Sequence, residues 1–170
     1  GIVNSYGPRA CYDEGKRAAE ALCWDYHHRY DLDARLVRIF NTYGPNMDPY
    51  DGRVVSNFIV QALKGQKLTL YGEGRQSRSF CYVDDLISGI VAMGALDKNP
   101  GMPINLGNPK EFTVADLGFS VLSKVKNLPL DDSSIGHRME YKPMPVDDPT
   151  NRCPDIAMAI KHLNWQPKID

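Results

Sequence analysis

In "ACYDEGKRAAEALCWDYHH", residues 10–28, Tyr12 precedes Lys16 by four positions inside a run of helix-forming residues. Side chains at i and i+4 share one helix face. An ammonium group beside a phenol favours the phenolate, so a tyrosine held this way can accept a proton near neutral pH. The pair suits removal of a proton from a hydroxyl group. A tyrosine and a lysine one turn apart also arise often by chance, and on the pair alone a purely structural role stands ahead of the catalytic one. The elements around it and the motifs that follow have to decide.

The stretch from Tyr12 to about Tyr30 is rich in Ala, Glu, Lys and Arg and free of proline, which predicts a helix. "ARLVRIFN" (34–41) alternates and is β-branched, which predicts a strand. "TYGPNMDPYDG" is a loop by its Gly, Pro, Asn and Asp content. "RVVSNFIVQALKG" (53–65) has helical spacing and stops at a glycine. "KLTLYG" and "RSFCYV" are short strands around the turn "GEGRQS". "DDLISGIVAMGALD" (84–97) is a helix opening on two aspartates that suit its positive end. "MPINLG" is a strand, "TVADLGFSVLSKV" a helix capped by Thr113, and "HRMEYKP" a strand. Asp155 opens a last helix, "IAMAIKHL", which "NWQP" closes. Alternating strands and helices predict an α/β architecture. The first strand follows a long helix, and no GxGxxG or GxxGxxG turn joins a strand to a helix. "GEGRQS" is too short a match and sits between two strands, so it is not a phosphate loop. The chain reads as the rear part of something larger.

Bulk properties bound the function classes. The 170 residues suffice for a substantial core, with 42% hydrophobic and 24% charged residues and a formal net charge of −1. That balance argues against a nucleic-acid surface, although arginines can still cluster around a small anion. No apolar run is long enough to cross a bilayer, and "GIVNSYGPRACY" lacks the basic and apolar parts of a signal peptide. Cys11, Cys23, Cys81 and Cys153 are scattered without a CxxC pair, so they are read as reduced thiols of a cytoplasmic protein. A form in a secretory lumen behind an upstream anchor is the alternative. His27 and His28 are adjacent and point apart on a helix, while His137 and His162 stand alone, so no metal is expected.

Taken in order, "GPRACYDEGKR", "RIFNTYGP", "DGRVVSNFI", "LTLYGEGRQSRSFCYVDDL", "INLGNP" and "DDPTNRCPDIAMAIKHLNWQP" resemble the extended short-chain dehydrogenase/reductase family over nearly the whole chain. "YDEGKR" and "DGRVVSNF" resemble its UDP-glucuronate decarboxylase branch in particular. The resemblance implies a Rossmann half that binds NAD and a smaller α/β half that holds a UDP-sugar. Residues 1–43 are then the rear of the Rossmann domain, and 44–170 are mainly the sugar-nucleotide domain, with 79–98 returning to the first. It also implies that the chain is a fragment, inactive and without NAD binding in isolation. A naturally truncated sugar-nucleotide-binding or dimerisation module is the reading from another class. A 4-epimerase or 4,6-dehydratase is the alternative within the family.

By the same resemblance, Tyr12 is the catalytic base and Lys16 supports its phenolate and the nicotinamide ribose. Arg78 is a catalytic and substrate-binding cation, and Thr42 and Arg53 lie near the cofactor. Asn41, Val54, Val55, Asn57, Tyr71 and Arg152 contact the sugar nucleotide. Several of these have plainer readings: Asn41 as a turn former, Arg53 as an exposed helix start, and Val54, Val55 and Tyr71 as core. Arg152 can equally belong to a polar loop. Trp24, Tyr26 and Tyr30 are expected to be covered by a neighbour, with a homodimer through the Tyr12–Tyr30 helix, and "HHRYD" is expected to be a solvated helix end. The sequence departs from the decarboxylase pattern at "NSYGPR" and at Asn46, where a basic residue is expected.

Overall fold

In a computed structural model, residues 4–126, 136–144 and 151–169 are described. Residues 1–3 of the opening segment and 147–150 of the "DDPTNRCPD" motif lie outside them. The chain forms two compact units. Unit 1 gathers the described parts of Gly1–Thr42, Cys81–Pro109 and Pro154–Asp170, and unit 2 those of Tyr43–Phe80 and Lys110–Cys153. The boundaries expected from sequence put 99–109 and 154–170 in the second unit, whereas both stretches cluster with the first.

Unit 1 starts with α1 (Ala10–Tyr30), which ends where Asp31 turns left-handed at φ 52°. The predicted strand is shorter than its sequence signal: β1 covers Val37–Ile39, and β2 (Thr42–Tyr43) follows inside the stretch read as loop. After β5 (Cys81–Tyr82) and α3 (Val83–Gly94), β6 (Ile104–Leu106) pairs with β1 in parallel, Val37 opposite Ile104 and Ile39 opposite Leu106. The core consists of Cys81, Leu86, Met93, Ile104, Leu106, Ile156, Ala159 and Trp165, with α5 (Ala157–Leu163) packed on α3 and β6. Trp165 explains why the C-terminal stretch belongs here. Its indole N–H lies 3.0 Å from the Asp85 carbonyl and 2.8 Å from Ser88 Oγ, so a large ring is buried with its donor satisfied. Gly89 makes room for it, since a Cβ there would sit 3.0 Å from Leu106 and from the Trp165 ring.

Unit 2 has its own core of Phe58, Ala62, Leu68, Leu70, Val114, Leu122 and Met139. These side chains come from α2 (Val54–Leu63), β3 (Leu68–Tyr71), α4 (Val114–Lys126) and β8 (Met139–Lys142). Burying the larger of these, the Phe, Leu, Val and Met side chains, contributes about 1.5–3 kcal/mol each. β3 pairs in parallel with β8, Leu68 opposite Met139. It does not form a hairpin with β4 (Ser77–Ser79), because the turn after Tyr71 sends the chain to another sheet. There β4 is the central strand, antiparallel to β7 (Glu111–Thr113) on one side and parallel to β9 (Asn151–Arg152) on the other. Thr113 caps α4 as expected: Asp116 N–H donates to Thr113 Oγ1 at 3.0 Å, and the Thr113 hydroxyl donates to the Asp116 carboxylate at 2.6 Å.

Candidate active site

Unit 1 holds the tyrosine–lysine pair on the first two turns of α1. Lys16 Nζ stands 5.5 Å from the centroid of the Tyr12 ring, which is 58% exposed. Both side chains therefore share a face, as the spacing requires, and the phenol is accessible to a ligand. No residue of α1 is fully buried, so the helix needs another anchor. Glu20 provides it: its carboxylate accepts Arg38 Nε at 2.7 Å and the neighbouring Arg38 Nη2 at 2.5 Å, joining α1 to β1 through a two-pronged fork. That fork holds the Glu20 carboxyl below its ordinary value and the Arg38 guanidinium above its own. At the far end of α1, His27 Nδ1 meets the Leu32 carbonyl oxygen at 2.7 Å. The His28 ring stacks on Trp24 with centroids 3.8 Å apart, and "HHRYD" is a largely exposed helix end, as expected.

Beyond β1, the Asn41 carbonyl accepts the Cys81 N–H at 2.8 Å, and the Thr42 hydroxyl donates to the Phe40 carbonyl at 2.9 Å. Both side chains are half-buried at the end of the strand. Asn46 has φ 65°, a left-handed conformation that asparagine tolerates better than lysine or arginine, which accounts for the departure at that position. Trp24, Tyr26 and Tyr30 are exposed by half or more in this chain, with Tyr26 and Tyr30 in ring contact at 5.3 Å.

Unit 2 holds the remaining candidates. Arg53 precedes α2 with its side chain largely exposed, and its Nε lies 3.4 Å from Asp51. Asp51 does more than sequence reasoning credited. It accepts the Arg53 N–H at 2.9 Å and contacts the Ser56 hydroxyl, and that contact chiefly holds its carboxyl below the ordinary value. Its signal was visible as an aspartate just ahead of the helix. Asn57 is half-buried and donates to the Gly52 carbonyl at 3.0 Å. Val55 is buried and Val54 packs against the core, so their side chains serve packing first. Tyr71 is 45% exposed, which corrects the reading of it as a core aromatic: it ends β3 where the sheet stops covering it.

Arg78 and Arg152 are direct cross-strand partners in the sheet β7–β4–β9. Arg78 is 9% exposed and its Nη1 donates to the Ser77 carbonyl at 2.7 Å. Arg152, read in sequence as loop or ligand, lies on a strand, and the register puts it on the same face as Arg78. Like charges side by side on a sheet disfavour each other. An anion between them relieves that repulsion, and guanidinium forks match phosphate and carboxylate geometry. Among the described residues no group of three or more His, Cys, Asp and Glu is arranged to hold a metal. The four cysteines are free, and burial with the nearby Asp85 charge pushes the Cys81 thiol up to about 11.

UDP-glucuronic acid decarboxylase 1 of Arabidopsis thaliana is 49% identical over 169 residues, covering 99% of this chain and 37% of that protein. UDP-glucuronic acid decarboxylase 1 of Danio rerio is 48% identical over 169 residues, covering 99% of this chain and 38% of the relative. The chain thus spans less than half the length of these relatives. Among solved structures, the UDP-glucuronic acid 4-epimerase of Bacillus cereus, in complex with UDP-glucuronic acid and NAD, matches with a TM-score of 0.82 at 27% identity. That match covers the whole chain and 52% of the epimerase. The fold is accordingly α/β, corresponding to part of a Rossmann-type enzyme. The sequence model described as the NAD dependent epimerase/dehydratase family matches residues 3–107, and the chain belongs to that family.

Proposed function

We propose that the polypeptide carrying this chain is an NAD-dependent carboxy-lyase that converts UDP-glucuronate to UDP-xylose through a 4-keto sugar. The carrying observation is the accessible Tyr12 phenol with Lys16 one turn away, on a chain that matches the decarboxylases over 99% of its length. A phenol and an ammonium side by side fit a nicotinamide ribose and the alcohol to be oxidised. When bound, NAD supplies the acceptor for hydride and returns it at the end of the cycle.

The chain's own residues do the rest. Tyr12 takes the proton from the sugar 4-hydroxyl, and Lys16 favours the phenolate electrostatically. Oxidation at C4 makes the substrate a β-keto acid, whose carboxylate leaves as carbon dioxide with the bonding electrons drawn into an enolate. The enolate takes a proton at C5, and as C4 is reduced again Tyr12 returns its proton to the C4 oxygen. Arg78 offers positive charge to that carboxylate and enolate, and Arg152 to the diphosphate. Asn41, Thr42, Arg53, Asn57 and Tyr71 are assigned to ligand positioning, and Val54 and Val55 act through backbone and packing. The assembly we propose is a homodimer through α1, whose Leu22, Trp24, Tyr26 and Tyr30 leave apolar surface uncovered in one chain. The scattered free thiols support a cytoplasmic location as part of this reading.

The test is product analysis of the full-length polypeptide given UDP-glucuronate labelled at the carboxyl carbon. Labelled carbon dioxide and a UDP-pentose support the reading, while label retained in UDP-galacturonate replaces it with 4-epimerisation. The second outcome is kept because of the fold shared with the Bacillus cereus 4-epimerase.

A further inference from the structure

The three-stranded sheet of unit 2 sorts its charges by face. Side chains alternate along each strand and share a face with their cross-strand partners. Phe112, Arg78 and Arg152 are consecutive partners across β7, β4 and β9 and form one row. Lys110 joins this face, since its Nζ lies 5.4 Å from the centroid of the Phe112 ring. The opposite face takes Ser77, Ser79, Glu111 and Thr113. Glu111 contacts the Ser77 hydroxyl there, and Thr113 holds the Asp116 carboxylate. Among the described residues of these strands and Lys110, cations go to one side and the carboxylate of Glu111 to the other.

We infer that Lys110, steadied over Phe112, is a specificity-determining residue of this face and favours nucleotide sugars that carry a carboxylate over neutral ones. The inference rests on the function proposed above and deepens it. A carboxylated nucleoside-diphosphate sugar brings two phosphates and one carboxylate, and the row offers Arg152, Arg78 and Lys110. Arg152 is at one edge of the row and Lys110 at the other, with the buried Arg78 between them. With the diphosphate at Arg152, the charged end of the sugar falls on the side of Arg78 and Lys110. A long lysine on an aromatic ring keeps its ammonium in water yet restricts its reach, which suits selection more than tight binding.

The experiment measures binding of UDP, UDP-glucose and UDP-glucuronate by calorimetry to the full-length, NAD-loaded polypeptide in a Tyr12→Phe background, which keeps UDP-glucuronate from being consumed, with Lys110 intact, Lys110→Met and Lys110→Arg. The expected result is a loss of roughly threefold to fivefold for UDP-glucuronate in Lys110→Met, the range of a partly exposed charge pair. UDP and UDP-glucose are expected to be unaffected, and Lys110→Arg to restore most of the preference. An equal loss for all three ligands makes Lys110 a phosphate contact and overturns the inference, as does no loss for any. Failure of the Tyr12→Phe protein with Lys110 intact to bind any of the three instead overturns the proposed function itself, so the two failures are distinguishable.

Discussion

Tyr12 and Lys16 act, on this reading, as one proton-handling unit, and the separate contributions of its members can be tested. Tyr12→Phe removes the only atom able to accept the proton while keeping the ring beneath Lys16. We expect turnover to fall by about 10²–10⁴-fold, the range for loss of a positioned acid–base group, with UDP-glucuronate binding retained. Steady-state kinetics and calorimetry on the full-length polypeptide check the two halves of that statement, and turnover near wild type would remove Tyr12 from the mechanism. Arg78 is a different kind of residue. It is nearly buried in a sheet and tied to the Ser77 carbonyl, so its charge is held in place before any ligand arrives. Such preorganisation is what electrostatic stabilisation of a developing anion requires.

At the scale of elements, specific polar contacts between residues far apart in the chain hold unit 1 together. In α3, Asp85 is 5% exposed, and its carboxylate accepts the backbone N–H groups of Lys168 at 2.9 Å and Ile169 at 2.8 Å. The aspartate expected to complement the start of its own helix thus also holds the C-terminal segment against unit 1. Asp85→Ala leaves both donors without that acceptor, and a loss of about 1–3 kcal/mol is expected in urea unfolding of the full-length polypeptide. Gly89→Ala tests the neighbouring packing. Its added Cβ meets Leu106 and Trp165 at 3.0 Å, and overpacking of this kind costs about 1–3 kcal/mol. At the other end of α3, Arg35 Nη1 donates to the Met93 and Gly94 carbonyls at 2.8 and 2.9 Å, closing the helix with a cation as its dipole favours.

Each unit of the whole molecule carries its own core, so acid sensitivity arises separately in the two. In unit 1 the Glu20 carboxyl is held below its ordinary value of 4.5 by the Arg38 fork. In unit 2 the Asp51 carboxyl is held below 3.8 by Ser56 and the Arg53 amide. A carboxyl with a lowered folded-state value contributes stability that is complete above the unfolded value and disappears as pH falls through the folded one. Stability should therefore decline below about pH 4.5 for Glu20 and about pH 3.8 for Asp51. Arg38→Met should flatten the first part of that decline and lower stability near neutrality by at most ~1 kcal/mol, since the pair is partly exposed. Unfolding midpoints measured across this range check the sign, and an unchanged acid slope in Arg38→Met would remove the fork from the account.

Much of this was legible in the residue pattern because the causes are local. Helical spacing put Tyr12 and Lys16 on one face, the glycine after "QALK" stopped α2, and Thr113 announced the cap of α4. Those features depend on dihedral preferences and on hydrogen bonds a few residues apart. The motifs around them carried the family and the α/β class for the same reason, since they are runs of neighbouring residues. The tertiary structure decided what depends on distant partners: that Asn151 and Arg152 form a strand beside Arg78, that "KEF" presents Lys110 and Phe112 to the same face, and that Trp165 returns the C-terminal segment to unit 1. It also decided that Tyr71 is exposed where its strand ends. A strand as short and polar as β9 has too little periodicity to declare itself, and its register is set by a partner strand dozens of positions away.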